Sequence, residues 1–158
     1  MKKLSLLALL LPLLLVSCSK EGGATPAATP YGDVATPAWA VDSTYDDLDH
    51  SMTAVVTVAQ LGVADTSVIV PVAIDSADLI ATFCGDECLS LAHPDPLGRF
   101  FLFIHAPSQP YGQITLRYYS HTLHNIFNTD TTFPFVNGGQ QGTAAEPLLV
   151  PFWAVTQR

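Results

Sequence analysis

Between Leu79 and Ala92 the chain reads LIATFCGDECLSLA, two six-residue apolar runs joined by Gly85-Asp86. Runs this short are too brief for helices, and a Gly-Asp junction between them is the signature of a β-hairpin. The same grain continues on both sides. Met52 to Val58 alternates, with Met52, Ala54, Val56 and Val58 on one face. Ser67 to Ile74 is β-branched, and Pro71 demotes it to an edge strand or a bulge. Phe100 to His105 is apolar at nearly every position and reads as a central strand. Gln113 to Tyr119 alternates most cleanly, pointing Ile114, Leu116 and Tyr118 one way and Thr115, Arg117 and Tyr119 the other. His124 to Phe127, Thr131 to Val136 and Pro147 to Trp153 complete the series. Many short strands broken by Gly, Pro, Asn and Asp, with no amphipathic helix after residue 37, predict an all-β fold: a single-domain antiparallel β-sandwich, Ig-like or jelly-roll-like, with a barrel as the competing architecture.

The N-terminus carries a different message. Met1-Lys2-Lys3 is a basic start, Leu4 to Val16 is an apolar run, and Leu15-Val16-Ser17-Cys18 resembles a bacterial lipobox. The run is shorter than the ~20 apolar residues that a spanning helix needs, so residues 1–17 read as a lipoprotein signal peptide. That resemblance implies lipidation, including palmitate, at Cys18 and anchorage in the outer membrane. Ser19 after the cysteine suits that membrane, and Lys20-Glu21 faintly resembles the charged surface-export signals of Bacteroidetes lipoproteins. Residues 18–37, rich in Gly, Ala, Thr and Pro, cannot bury enough apolar surface to offset their ordering entropy and read as a flexible linker. The sandwich is then expected over residues 38–158.

Composition narrows the partners. Six basic residues stand against fourteen acidic ones, and loss of Lys2 and Lys3 with the signal leaves four. Phosphate neutralisation needs clustered Lys and Arg, so nucleic acid is not an expected partner. The charged fraction is 13%, too low for a disordered chain. The expected partners are the membrane, through the lipid, and a glycan or surface protein.

Phe83 to Ala92, with Asp78-Leu79-Ile80-Ala81 ahead of it, is similar to the D-x-[IV]-A-A-F-[VL]-G-[DN]-E-C-R-G-V-A pattern of poorly characterised Bacteroidetes secreted and surface lipoprotein domains. Three further segments resemble that family in the same order: Ser51 to Val56, Ile114 to Tyr119, and Phe133 to Val136 followed by Gly142-Thr143 and Glu146-Pro147. The resemblance spans about residues 39–152 and implies a β-sandwich module on a lipid tether. Cys84 departs from the pattern, and Leu89-Ser90 stands where the family has Arg-Gly.

With Cys18 assigned to lipid, Cys84 and Cys88 form an even pair in an oxidising compartment, which makes them candidates for a disulfide. Turn length decides the matter. A two-residue Gly85-Asp86 turn of type II′ sets Cys84 opposite Glu87 and sends Cys88 to the other face, whereas a three-residue loop sets Cys84 opposite Cys88. Segregation of the apolar side chains favours the bonded register, and the family pattern favours the two-residue turn.

No catalytic signature emerges: there is no G-x-S-x-G elbow and no activated Cys-His pair. His121 and His124 form H-x-x-H without the Glu and the helix of a metalloprotease. No metal site or cofactor is expected, the nearest approach being Asp75, Asp78, Asp86 and Glu87 as oxygen ligands for a cation. Asp42-Ser43-Thr44, Asp75-Ser76-Ala77 and Asp130-Thr131-Thr132 resemble Bacteroidetes O-glycosylation sites, marking Ser43, Ser76 and Thr131 at strand ends or loops. Arg117 and Tyr119 point outward on their strand and are the candidate ligand-binding pair, since an aromatic face can stack on apolar ring surfaces. The expected function is a non-catalytic binding module, with an accessory role in a surface assembly, joined through the C-terminal strand, as the alternative.

Overall fold

The computed structural model describes residues 33–41, 50–62, 69–70, 72–106 and 112–153. The signal peptide, Cys18, the first part of the linker, and Ser43 lie outside them. In chain order the strands are β1 (Ser51–Leu61), β2 (Ile69–Val70), β3 (Leu79–Cys84), β4 (Glu87–Ala92), β5 (Phe100–His105), β6 (Gln113–Ser120), β7 (Asn125–Pro134), β8 (Gln140–Gln141) and β9 (Leu148–Trp153). They form two sheets, and the fold is the expected β-sandwich.

In sheet A, β1 is the strand around which the others assemble. Along one edge it pairs antiparallel with β5, from Ser51↔His105 to Val56↔Phe100, and with β2 at Gln60↔Val70 and Leu61↔Ile69. Along the other edge it pairs parallel with β8 and then with β9, from Val56↔Leu148 to Leu61↔Trp153. Sheet B is antiparallel throughout, in the order β4-β3-β6-β7. The facing sides alternate as a pleat requires. Met52, Ala54, Val56, Phe100, Leu102, Ile104, Val150 and Phe152 from sheet A meet Ile80, Leu89, Ile114, Leu116, Tyr118, Phe127 and Phe133 from sheet B in one core.

Tyr118 stands at the middle of that core. Its ring lies 6.3 Å from Phe100, 6.1 Å from Phe127 and 5.0 Å from Phe152, centroid to centroid, so it touches both sheets. A buried phenol needs a hydrogen-bond partner, and Asp78 supplies it. The Tyr118 hydroxyl donates to Asp78 Oδ2 at 2.7 Å, the Asp75 amide donates to the same oxygen at 3.0 Å, and the His121 amide donates to Oδ1 at 2.7 Å. Asp78 is wholly buried. Its carboxylate is thereby satisfied and ties the loop before β3 to the β6–β7 turn.

Three expectations change. Phe100 to His105 is an edge strand rather than a central one: among the named strands β5 pairs with β1 alone, and Phe101 and Phe103 face solvent. His124 to Phe127 and Thr131 to Val136 belong largely to one strand, β7, whose register against β6 slips between Thr115/Thr132 and Arg117/Asn128. The Thr129 hydroxyl fills that bulge by donating to the Leu116 carbonyl at 3.0 Å. Among the described residues, the strand in Ser67 to Ile74 is the two-residue β2, at the sheet edge as Pro71 implies. The packed body also reaches upstream of residue 38, because residues 33–41 lie as a strap across the outer face of sheet B. The Val34 amide donates to the His124 carbonyl at 2.9 Å, the Thr36 hydroxyl reaches the Tyr119 hydroxyl at 3.4 Å, and the Trp39 ring meets Phe83 edge-on at 5.6 Å.

The hairpin adopts the two-residue turn. Cys84 pairs with Glu87, Phe83 with Cys88 and Thr82 with Ser90, so Leu89 is an extra residue in β4. Gly85 sits at φ 61°, as the first central position of a type II′ turn demands. Cys84 and Cys88 are free thiols, which corrects the disulfide expected from apolar segregation. The two-residue turn sends Leu89 to the main core and Cys88 to the outer face, with Ala81 and Phe83 under Trp39, and the bulge at Leu89 then sets Ser90 opposite Thr82 and Leu91 opposite Ala81.

Tyr118→Phe removes one bond to a charged acceptor and should lower unfolding free energy by about 1.5–3 kcal/mol, and Asp78→Ala, which orphans three donors, by about 3 kcal/mol or more, both read from urea unfolding. Mass measurement without reductant should find both hairpin thiols unpaired. A thiol reagent should modify half-buried Cys84 in the native protein and Cys88 only after unfolding, since burial pushes the Cys88 thiol up from its usual value. In the β4–β5 loop, hydrogen bonding from the Arg99 side chain, 2.9 Å from Nε to Oδ2, holds the Asp95 carboxyl below the usual carboxylate range. The folded value being the lower one, this ion pair supports the loop above the ordinary carboxylate pKa and is lost as pH falls through the depressed one. A carboxyl-carbon NMR titration should place the Asp95 midpoint below 3.8, and Arg99→Ala should raise it.

Candidate functional site

The two outer faces of the sandwich differ. On sheet B, Arg117 and Tyr119 do point outward, as alternation predicts, but they are not a free platform. Tyr119 is 1% exposed because the strap crosses it. The Arg117 guanidinium lies 4.1 Å from the Phe83 ring centroid and 3.6 Å from the exposed Asp86 carboxylate. Flat cations stack on aromatic faces in this way, and here the stack helps to floor the strap. The expected ligand-binding pair is thus part of an internal clamp.

The four acidic candidates do not converge. Asp75 and Asp78 precede β3, Asp86 and Glu87 follow its end, and six strand residues separate the pairs by roughly 20 Å. Asp78 has its oxygens committed to three donors. Asp75 Oδ1 accepts the Ala77 amide at 2.8 Å and stands 3.8 Å from His121 Nδ1. The His121 and His124 rings are 5.6 Å apart in the β6–β7 turn, where His124 adopts φ 46°. Among the described residues no group of three His, Cys, Asp or Glu is arranged to hold a metal ion.

A cleft of ≈ 250 Å³ lies between the loop before β3 and the β4–β5 loop, lined by Ile74, Ser76, Pro94, Asp95, Pro96 and Gly98. It is smaller than the ~300 Å³ at which small-molecule sites begin, and its one carboxylate is engaged by Arg99. Of the glycosylation candidates, Ser76 is exposed in a turn. Thr131 is half-buried inside β7 at its bulge, rather than at a strand end or loop. Neighbouring Asp130 accepts the Trp153 indole N–H at 3.3 Å.

The outer face of sheet A carries exposed apolar side chains. Phe101 is 50% exposed, Phe103 55%, Leu149 40% and Trp153 40%. Register places them as one surface: Phe103 opposite Thr53, Phe101 opposite Val55, Leu149 opposite Thr57 and Trp153 opposite Leu61. Arg99 lies along it, 5.4 Å from the Phe101 centroid, and donates to the Ala144 carbonyl at 2.8 Å. The outward positions of β1, β5 and β9 hold no acidic side chain, in a chain with fourteen. Contiguous apolar surface of this kind marks interaction sites on soluble domains. The sequence contained the signal. Phe100 to His105 and Leu148 to Trp153 are apolar on both faces, which suits a strand buried on both sides but equally an edge strand with an adhesive face.

No protein-family model, curated protein or solved structure matches this chain.

Proposed function

We propose that the chain is a lipid-anchored, non-catalytic binding module of the bacterial outer membrane, and that it recognises a protein surface through the outer face of sheet A. The observation that carries the reading is the contrast between the two faces. One is covered by the chain's own residues 33–41, and the other offers Phe101, Phe103, Leu149 and Trp153 to solvent. The anchor rests on the lipobox-like Leu15-Val16-Ser17-Cys18, and the setting on the hairpin resemblance to Bacteroidetes surface lipoproteins.

A protein partner fits better than a glycan. Sugar recognition needs hydrogen-bonding side chains beside the aromatic rings, and the outward positions of β1, β5 and β9 supply chiefly Ser51, Thr53, Thr57 and His105. Apolar and aromatic side chains ringed by polar residues are what a protein interface uses as its centre. An accessory role in a surface assembly is the same chemistry in a permanent complex. β9, like β5, pairs among the named strands with β1 alone, so the C-terminal strand and β5 each offer an edge where such a contact would form.

Palmitate labelling should be incorporated by the wild type and lost in Cys18→Ala. Purified mature protein should retain a defined envelope protein, and Phe103→Ala should weaken that complex about fivefold or more while shifting unfolding free energy by no more than about 0.5 kcal/mol. Retention unchanged by Phe101→Ala and Phe103→Ala together, or binding on a glycan array in place of a protein, would sink the reading.

A further inference from the structure

Strand directions give the sandwich two distinct ends. Gly85-Asp86, the start of β6 and the start of β1 share one end, since Ser51 pairs with His105 and Phe83 with Thr115. The β6–β7 turn, with His121 and His124, lies at the other, as does Trp153 at the end of β9. A chain tethered by its N-terminus and packed only from β1 onward would be held by Ser51, at the hairpin end. The strap reverses this. Val34 is fixed to the His124 carbonyl at the turn end, and the segment then crosses Tyr119 and reaches Phe83 near the hairpin end.

The geometry points to a function for this strap: it sets the turn end of the sandwich toward the membrane and the Gly85-Asp86 tip away from it. The inference rests on the lipid-anchored reading above. Fourteen residues lie between Cys18 and Asp33, and at roughly 3.5 Å per step the span is limited to about 50 Å. Thirty-two residues lie between Cys18 and Ser51, with a limit of about 115 Å. Docking the strap therefore halves the available tether and moves its attachment by the length of the sandwich, roughly 25 Å for the eight residues of β6.

The test uses full-length lipidated protein reconstituted in vesicles containing acceptor-labelled lipid. A donor dye is attached through an azide-bearing amino acid at Thr122, exposed in the turn, or at Asp86, exposed at the hairpin tip. Energy transfer from position 122 should exceed that from position 86 at least twofold. Val34→Pro, which removes the amide donor, and Trp39→Ala, which removes the contact with Phe83, should each bring the two positions toward parity. Equal transfer in the strap-intact protein, or a difference that survives both substitutions, overturns the orientation while leaving the anchor standing. Failure of the wild type to float with vesicles any better than Cys18→Ala overturns the anchor, and the orientation with it.

Discussion

The bond between the Tyr118 hydroxyl and Asp78 holds the most improbable part of this structure together. A carboxylate with no solvent exposure is unfavourable unless its lone pairs are filled, and Asp78 fills them with a phenol and two backbone amides. Those three donors come from the core, from the loop before β3 and from the turn after β6. Desolvation and the neighbouring carboxylate push the Tyr118 phenol far above its usual range, so it remains a donor. The ring that carries this hydroxyl also fills the space between the sheets, against Phe100, Phe127 and Phe152. A polar tie and an apolar pack thus converge on one residue, and the position of β6 relative to both sheets depends on it.

The hairpin shows how far local pattern carries. Its limits, Leu79–Cys84 and Glu87–Ala92, follow from composition and from Gly85-Asp86, and the structure has them at the same residues. Its register does not follow, because two pairings each satisfied part of the pattern. Apolar segregation asked for Leu89 on one side, and turn geometry asked for the two-residue loop. The structure takes the two-residue loop, which itself puts Leu89 in the core, and a bulge at Leu89 then returns Leu91 to the face of Ala81. Cys84 and Cys88 fall on opposite faces as a result, and their proximity in sequence has no covalent meaning.

Elsewhere the legible and illegible parts divide along a physical line. Strand identity is local, and β1, β3, β4, β5, β6 and β9 were readable from alternation and from their flanking Gly and Pro residues. What covers a face is not local. Tyr119 and Arg117 point outward by parity, yet whether outward means exposed depends on residues some eighty positions upstream. Val34, Pro37 and Trp39 carry the half-buried contacts of the strap, in a stretch whose Ala, Thr and Pro content matches that of a linker. The same limitation applies to β5. Its apolar residues on both faces imply burial on both only if a layer covers each, and the sequence of the strand says nothing of its neighbours.

The bare face of sheet A and the covered face of sheet B are best understood together. Phe83, Ala81, Cys88 and Tyr119 would form a second apolar surface if residues 33–41 were not laid across them. At ~25 cal/mol per Å² even the half-buried Trp39 contributes on the order of 1–2 kcal/mol, enough to oppose the ordering of a few strap residues. No comparable segment among the described residues lies over Phe101 and Phe103, and leaving such rings in water forgoes a similar gain at each. Among the described residues, residues 33–41 close one face, and the exposed rings of the other are left in water at the expense of stability. That asymmetry is what a binding surface requires: free energy withheld from folding and released on contact with a partner.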